Sequence, residues 1–136
     1  MSGETPPNAE ALRKTLEAYF AAIAARDPQR IASVFAVDGE IEDPVGSPVR
    51  HGREGVAGLF ASGVAALASK VEIKVLAALP SGASIAAHWT MTARGRAGRE
   101  VKAEGIDVLQ VDAQGLIVQA EGYWNAVAFR QALAAS

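Results

Sequence analysis

The chain has 136 residues, of which half are hydrophobic and 21% are charged, the balance of one globular domain with a single core. A net charge of -2 without any basic run argues against a nucleic-acid partner, and the absence of cysteine excludes disulfides, thiol catalysis and cysteine metal sites. No apolar stretch reaches the roughly 20 residues of a membrane helix, and residues 1–8 lack a hydrophobic signal segment, so we expect a cytoplasmic protein with a short flexible tail at residues 1–8.

The first part of the chain predicts two helices. Asn8 can cap a helix that continues to about Arg26. The pair Asp27-Pro28 is a fresh helix start, and we expect that short helix to continue through Phe35. On the first helix the apolar positions recur at spacings of four, three and four, which is typical of a helix with one buried face. These positions are Leu12, Leu16, Tyr19 and Ile23.

A brief strand and a third helix follow. Residues 39–43 predict the strand, which ends in a run rich in proline and glycine. Residues 53–68 predict the helix, although its three glycines, Gly55, Gly58 and Gly63, reduce helix stability.

From Val71 onward the apolar residues alternate with polar ones, which predicts four long strands joined by short turns. Strands joined in this way form an antiparallel meander. Helices followed by strands predict an α+β fold, with three N-terminal helices packed on one face of a curved, mostly antiparallel sheet that encloses an apolar cavity. The inner face is predicted from alternate positions, which are Val71 to Leu79, Ile85 to Ala93, Val101 to Val111 and Leu116 to Trp124.

Three polar residues lie on faces that should be apolar. Asp107 has the parity of Leu109 on its strand, Asp43 has the parity of Ile41, and Tyr19 lies on the buried stripe of the first helix. An ionised carboxylate out of water either finds partners or shifts its pKa and becomes neutral. A functional role therefore competes with a structural one for each of the three residues.

Each structural alternative is specific. A buried tyrosine in a helix is commonly core packing with one satisfied hydroxyl. Asp43, directly before Pro44, could bond to nearby backbone as a turn residue. Asp107 would face outward if the strand register slipped by one residue, because Ile106 and Val108 would also tolerate the inner face.

The segments around these residues resemble the bacterial ketosteroid isomerases, or steroid Δ5-Δ4 isomerases, over almost the whole chain. The run Glu42–Ser47 resembles the characteristic loop of that family, and Tyr19–Ile23 is similar to its first helix. Ile106-Asp107 resembles the strand that supplies the second acid, and Glu121–Asn125 resembles the last strand with its pocket tryptophan. The resemblance implies an NTF2-like (SnoaL-like) cone-shaped fold, a homodimer, and a reaction without metal or organic cofactor.

The resemblance also implies roles for individual residues. Asp43 would be the general base that moves a proton within a 3-ketosteroid, while Asp107 and Tyr19 would form the oxyanion hole. For that role Asp107 must be protonated near neutral pH, as the corresponding acid of the ketosteroid isomerases is. An apolar pocket would hold the flat ligand, and its predicted wall residues are Phe20, Phe35, Val45, Phe60, Trp89, Met91, Leu109 and Trp124.

The sequence departs from the family at two places. Some members surround the catalytic tyrosine with two further tyrosines, and the matching positions here are Phe35 and Phe60. Tyr19 would then have no supporting hydrogen bonds. The strand with Asp107 continues with Val108 and Leu109, where some relatives have aromatic residues, so we expect a pocket that is either wider or less well packed.

Other functions on the same fold need other residues. A dehydratase would need a histidine in the cavity, but the neighbours of His51 and His88 indicate the surface. An epoxide hydrolase would need an inward Asp-Arg-Asp cluster, whereas three arginines of the second half lie in or beside a hairpin turn: Arg94, Arg96 and Arg99. A non-catalytic or weakly active protein that binds a steroid-like molecule is the main alternative.

The outer face of the predicted sheet is a natural dimer surface. Its residues are only partly apolar, so the expected homodimer interface is partly hydrated. The residues with outward parity include Thr90, Thr92, Glu104 and Gln110.

Overall fold

The structure, a computed structural model, describes residues 5–135, and this part of the chain contains five helices and six strands. In chain order they are α1 (Ala9–Ala24), α2 (Pro28–Ser33), β1 (Phe35–Glu42), β2 (Arg50–His51), α3 (Gly52–Ser62), α4 (Val64–Leu67), β3 (Ala68–Ser81), β4 (Ser84–Gly95), β5 (Glu100–Val111), β6 (Ile117–Trp124) and α5 (Ala126–Ala135). Residues 5–8 of the predicted tail lie in no helix or strand, and residues 1–4 lie outside the described part.

The first helix begins as the sequence predicts. The side chain of Asn8 accepts a hydrogen bond from the backbone N–H of Ala11 at 2.9 Å, which satisfies one free donor of the first turn of α1. Asp27 caps α2 in the same way through the N–H of Arg30. The prediction that this helix continues through Phe35 is wrong, because Phe35 is the first residue of β1 and is wholly buried.

Two further boundaries differ from the predictions. The strand expected at residues 39–43 is β1, which begins four residues earlier at Phe35 and ends just before Asp43. The third helix is interrupted at Gly63, whose backbone lies outside the helical region, so that α3 and α4 are separate. The glycine that reduced the helix propensity is therefore the point where the helix breaks.

The sheet confirms the predicted α+β architecture. Its strand order is β2-β1-β6-β5-β4-β3, and β3 to β6 form the expected antiparallel meander. The first strand β1 pairs in parallel with β6 and antiparallel with the short β2, so the sheet is mixed but mostly antiparallel. The helices α1 and α3 pack on the inner face, and the main core lies between them and the sheet.

Strict alternation fails where the strand register shifts. A shift between Val75 and Ala77 makes Ala78 the inward residue and leaves the predicted core residue Leu79 71% exposed. A second register shift lies between Gln110 and Val111, in the pairing of β5 with β6. As a result Ile117 is completely buried, whereas the predicted inward residue Val118 is 37% exposed. A bulge inserts one residue and exchanges the two faces, and an alternating pattern does not reveal it.

The C-terminal helix α5 was not predicted. It buries Ala126, Phe129 and Leu133, which recur at helical spacing, against the inner side of the sheet and α4. Within residues 5–135 there is no helix of the length and apolarity needed to cross a membrane.

Candidate active site

An apolar cavity of about 90 Å³ lies between the helices and the inner face of the sheet. Three of its lining residues carry charged side chains, namely Asp43, Asp107 and Arg130. Nearly all the others are hydrocarbon or aromatic. The two acids that parity placed on inner faces therefore meet at one apolar cavity.

Asp107 is the buried acid of the pair. It lies on the inner face of β5 with 4% of its surface exposed, so the register slip does not occur. Its Oδ1 accepts a hydrogen bond from Trp89 Nε1 at 2.9 Å. Burial and the nearby charge of Asp43 raise the pKa of Asp107 well above its ordinary value, and the Trp89 bond opposes this shift. These surroundings favour the protonated acid.

Asp43 follows the last residue of β1 and is half-buried. Its Oδ1 accepts a hydrogen bond from Trp124 Nε1 at 2.6 Å. Burial raises the pKa of Asp43 to about 6, against the lowering effect of the Trp124 bond. An acid with this pKa is ionised at neutral pH and can still accept a proton without a large energetic cost.

The loop after Asp43 is held by its own backbone and side chains. The Gly46 N–H donates to Glu42 Oε2 at 2.8 Å, and the Ser47 hydroxyl donates to the Pro44 carbonyl at 2.6 Å. The Val45 N–H donates to the Gly122 carbonyl at 2.7 Å, which joins the loop to β6. These bonds fix the position of Asp43 beside the cavity.

Two strand glycines make room for this arrangement. A Cβ atom on Gly122 would lie 2.6 Å from Asp43 Oδ1, a distance that real Cβ atoms do not adopt. A Cβ atom on Gly105 would lie 2.5 Å from Trp89 Cζ2 and 2.7 Å from Trp124 Cβ. Glycine inside a strand often marks such a close approach. The two glycines were therefore the sequence signal for this packing, which the alternation of apolar and polar residues does not indicate.

Tyr19 is wholly buried next to the two acids, although it does not line the cavity surface. Burial and the charges of Asp107 and Asp43 raise the pKa of its hydroxyl. Its ring packs against Phe20, and it meets Phe35 and Phe60 edge-on at 5.9 and 6.4 Å between centroids. The hydroxyl has no hydrogen-bond partner among residues 5–135, as the two phenylalanines led us to expect.

The predicted wall residues fall into two groups. Three of them lie elsewhere: Phe35 and Leu109 are fully buried without lining the cavity, and Val45 is 38% exposed on the loop. The other five line the cavity: Phe20, Phe60, Trp89, Met91 and Trp124. Sequence reasoning missed the contributions of α5, because Phe129, Arg130 and Leu133 also line the cavity.

The histidines and the three arginines that the sequence analysis weighed for competing chemistries do not line the cavity. His88 Nε2 pairs with Glu104 Oε2 at 2.6 Å on the outer face, and the exposed His51 pairs with Glu40. The arginines at positions 94, 96 and 99 are exposed, and Arg130 forms no ion pair with either cavity acid among the described contacts. Among residues 5–135 no histidine lines the cavity, whereas Arg130 does line it together with Asp43 and Asp107.

The sequence matches the SnoaL-like domain model over residues 16–120. The chain belongs to the SnoaL-like family. This SnoaL-like protein is also 29% identical over 106 residues to a steroid Delta-isomerase of Nocardioides simplex, a match that spans 78% of this chain and 83% of that protein.

Two solved structures share the fold of this SnoaL-like protein. One is SalBIII, an epoxide hydrolase/cyclase-like enzyme of pyran ring formation in the polyether salinomycin, with a TM-score of 0.76, 23% identity and coverage of 88% of this chain and 95% of that one. The other is RV0760c from Mycobacterium tuberculosis in complex with estradiol-17beta-hemisuccinate, with a TM-score of 0.73, 23% identity and coverage of 85% and 94%. At this identity the two structures establish the fold alone.

Proposed function

We propose that the protein is a steroid Δ-isomerase, which moves the double bond of a 3-oxo-Δ5-steroid to the conjugated Δ4 position through a dienolate. One observation carries the proposal: two carboxyl groups share one apolar cavity in unequal surroundings. Asp43 is half-buried with a pKa of about 6, while Asp107 is almost fully buried and favours its proton. Two acids with separated pKa values are suited to separate roles.

Asp43 acts as the general base in this mechanism. Its carboxylate takes a proton from the carbon between the ketone and the double bond, and the electron pair moves toward the ketone oxygen. The protonated Asp43 then returns the proton two carbons further along the conjugated system. A pKa of about 6 suits both steps, because the base is charged at neutral pH and releases the proton readily.

Asp107 stabilises the dienolate oxygen. Trp89 donates to its Oδ1, which leaves Oδ2 to hold the proton and donate a hydrogen bond to the ligand. The Tyr19 hydroxyl, free of protein partners among residues 5–135, is the second donor. Burial and the nearby charge of Asp43 raise the pKa of Asp107, which favours the proton on Asp107 and the charge on Asp43.

The substrate class follows from the apolar walls and from the relatives. The resemblance to the isomerase of Nocardioides simplex and the steroid in the RV0760c complex both support a steroid-like ligand. The cavity of about 90 Å³ is smaller than the roughly 300 Å³ found at the low end of small-molecule pockets. A steroid must therefore displace part of the wall, and the flexible Met91 and the separate helix α5 are the parts best able to move.

A second candidate is a steroid-binding protein with little turnover. It is favoured by the Tyr19 hydroxyl, which lacks the hydrogen bonds that would orient it as a donor. Ligand binding without catalysis requires the apolar walls but not the charge on Asp43. The two candidates are therefore distinguished by whether the wild-type protein turns over the steroid that it binds.

The proposal is tested by an ultraviolet assay for the conjugated enone formed from a 5-ene-3-ketosteroid. We expect Asp43→Asn to lower kcat by about 10²- to 10⁴-fold while ligand affinity is retained, because only the proton transfer is removed. The matched control is Asp38→Asn, at an exposed aspartate on β1, the strand that ends just before Asp43, and it should leave kcat unchanged. Binding of steroid without acceleration over buffer by the wild-type protein would favour the binding protein instead.

The proposal extends to assembly and location. We infer a homodimer through the outer face of the sheet, where Leu79, Ile106 and Tyr123 are 71%, 46% and 47% exposed. Ile106 and Tyr123 are register partners on β5 and β6, so their side chains lie side by side. A contiguous exposed apolar patch is typical of an interface. A cytoplasmic location fits the cysteine-free sequence.

A further inference from the structure

Arg130 is a cation at the rim of an otherwise apolar and acidic cavity. It is the one lysine or arginine among the described residues that line the cavity. The mechanism proposed above does not use it.

The position of Arg130 is set by its neighbours on α5. Phe129 is buried and packs on Trp124 with 5.3 Å between ring centroids, and Leu133 is buried one turn later. These contacts turn one face of the helix toward the cavity. Arg130, beside Phe129, is itself exposed while it lines the cavity, so it lies at the mouth.

Arg130 has no partner in the described part of the chain, residues 5–135, either as an ion pair or as a hydrogen bond. Other arginines do have partners: Arg26 and Arg53 donate to backbone carbonyls, and Arg94 pairs with Glu100. The exposed cation is therefore available to a ligand.

The cavity lining thus carries side chains of both charge types. Asp107 is almost fully buried, Asp43 is partly buried, and Arg130 is exposed. A negatively charged group would be repelled by Asp43 and attracted by Arg130. The charge distribution therefore selects the orientation of an anionic ligand as well as its presence.

We propose that Arg130 selects ligands with an anionic substituent, a carboxylate or a sulfate, at the end opposite the group that faces the two acids. For a steroid this means a 3-oxo group inside and an acidic substituent on the far ring at the mouth. The inner half of this assignment rests on the proposed isomerase function, whereas the anion preference rests on Arg130 alone. A guanidinium binds carboxylate and sulfate oxygens through paired hydrogen bonds.

The test compares two matched ligand pairs. The steroid pair is testosterone 17-hemisuccinate and testosterone 17-acetate, which share the ketone and the ester and differ in charge. The second pair, 1-anilinonaphthalene-8-sulfonate and neutral N-phenyl-1-naphthylamine, contains no steroid. Dissociation constants are measured by fluorescence, since Trp89 and Trp124 line the cavity.

We expect the ratio of neutral to anionic Kd to fall by about two- to fivefold in Arg130→Gln relative to the wild type at low salt, the range of an exposed charge pair. Arg130→Lys should recover part of the ratio, and added salt should reduce it in the wild type. Arg99→Gln is the matched control, because Arg99 is exposed in the β4–β5 turn and does not line the cavity. It should keep the wild-type ratio.

The outcomes separate this inference from the isomerase proposal. If the naphthalene pair shows an Arg130-dependent preference while no steroid binds, the anion preference stands and the steroid function fails. If steroids bind and isomerise but Arg130→Gln keeps the wild-type ratio for both pairs, the role of Arg130 is overturned. Failure of all four ligands to bind would also overturn it.

Discussion

The two cavity acids differ because of what surrounds each carboxyl group, and each accepts one indole N–H. The Trp124 bond opposes the burial of Asp43, and the Trp89 bond opposes the burial of Asp107. The bonds have the same chemistry and burial raises both pKa values, so the difference arises from the charge of Asp43, which raises the pKa of Asp107 further.

The pH dependence of the isomerase follows from this order. Asp43 must be ionised to act, so kcat/KM should fall about tenfold per unit as the pH drops below a midpoint of about 6. Trp124→Phe removes the bond that lowers the pKa of Asp43, so its midpoint should move to higher pH. Trp89→Phe removes the hydrogen-bond donor to Asp107. It should lower kcat by about 2- to 10-fold and leave the pH midpoint of Asp43 unchanged. Equal midpoints in all three proteins would contradict the assignment of the base.

Gly122 provides a test of position rather than charge. Gly122→Ala places a Cβ atom where Asp43 Oδ1 now lies, so the carboxylate must move. We expect kcat/KM to fall by about 100-fold, the typical cost of displacing a catalytic group by an ångström. Gly82→Ala is the control, because that glycine lies in an open turn with no atom near its Cβ position and its positive φ affects only stability. Equal losses in the two variants, measured with thermal melts alongside, would indicate a folding effect.

At the scale of elements, the sequence predicted what depends on local periodicity and missed what depends on pairing between strands. The stripe of α1 and the alternation of β4 and β5 placed Tyr19 and Asp107 correctly. The sequence did not predict the full length of β1, because its pairing with β6 is non-local. It did not predict the register shift near Val75 either, because a bulge does not alter the alternation of apolar and polar residues. The sequence did indicate where α3 and α4 separate, because Gly63 lowers the helix propensity at that point.

The site itself was predictable only in part for the same reason. Parity and the resemblance named both acids, but no sequence pattern states which indole bonds to which carboxyl group. Those bonds connect residues 18 and 81 positions apart and depend on the packing allowed by Gly105 and Gly122. The helix α5, which follows the last strand of the predicted meander, was not predicted although its apolar residues recur at helical spacing.

This helix is expected to cover the ligand, and one substitution tests that role. Phe129→Ala removes a ring that lines the cavity and packs on Trp124. We expect a loss of about 3–5 kcal/mol in the free energy of unfolding and at least a tenfold weaker Kd for steroid. Val127→Ala is the matched control on the same helix, because Val127 is 64% exposed, and it should change neither quantity measurably. An unchanged Kd in a folded Phe129→Ala protein would show that α5 does not contact the ligand.

At the scale of the whole molecule, the sheet divides the protein into a cavity side and an outer side with an exposed apolar patch. Association of two copies would cover Leu79, Ile106 and Tyr123 and leave both cavities open on the far sides. Ile106→Glu places a charge in the centre of this patch opposite Tyr123, so burial in an interface becomes costly. We expect the wild type to sediment as a dimer and Ile106→Glu as a monomer at micromolar concentration. Val127→Glu, at a more exposed apolar site on α5, should remain dimeric, and a dimeric Ile106→Glu protein would place the interface elsewhere.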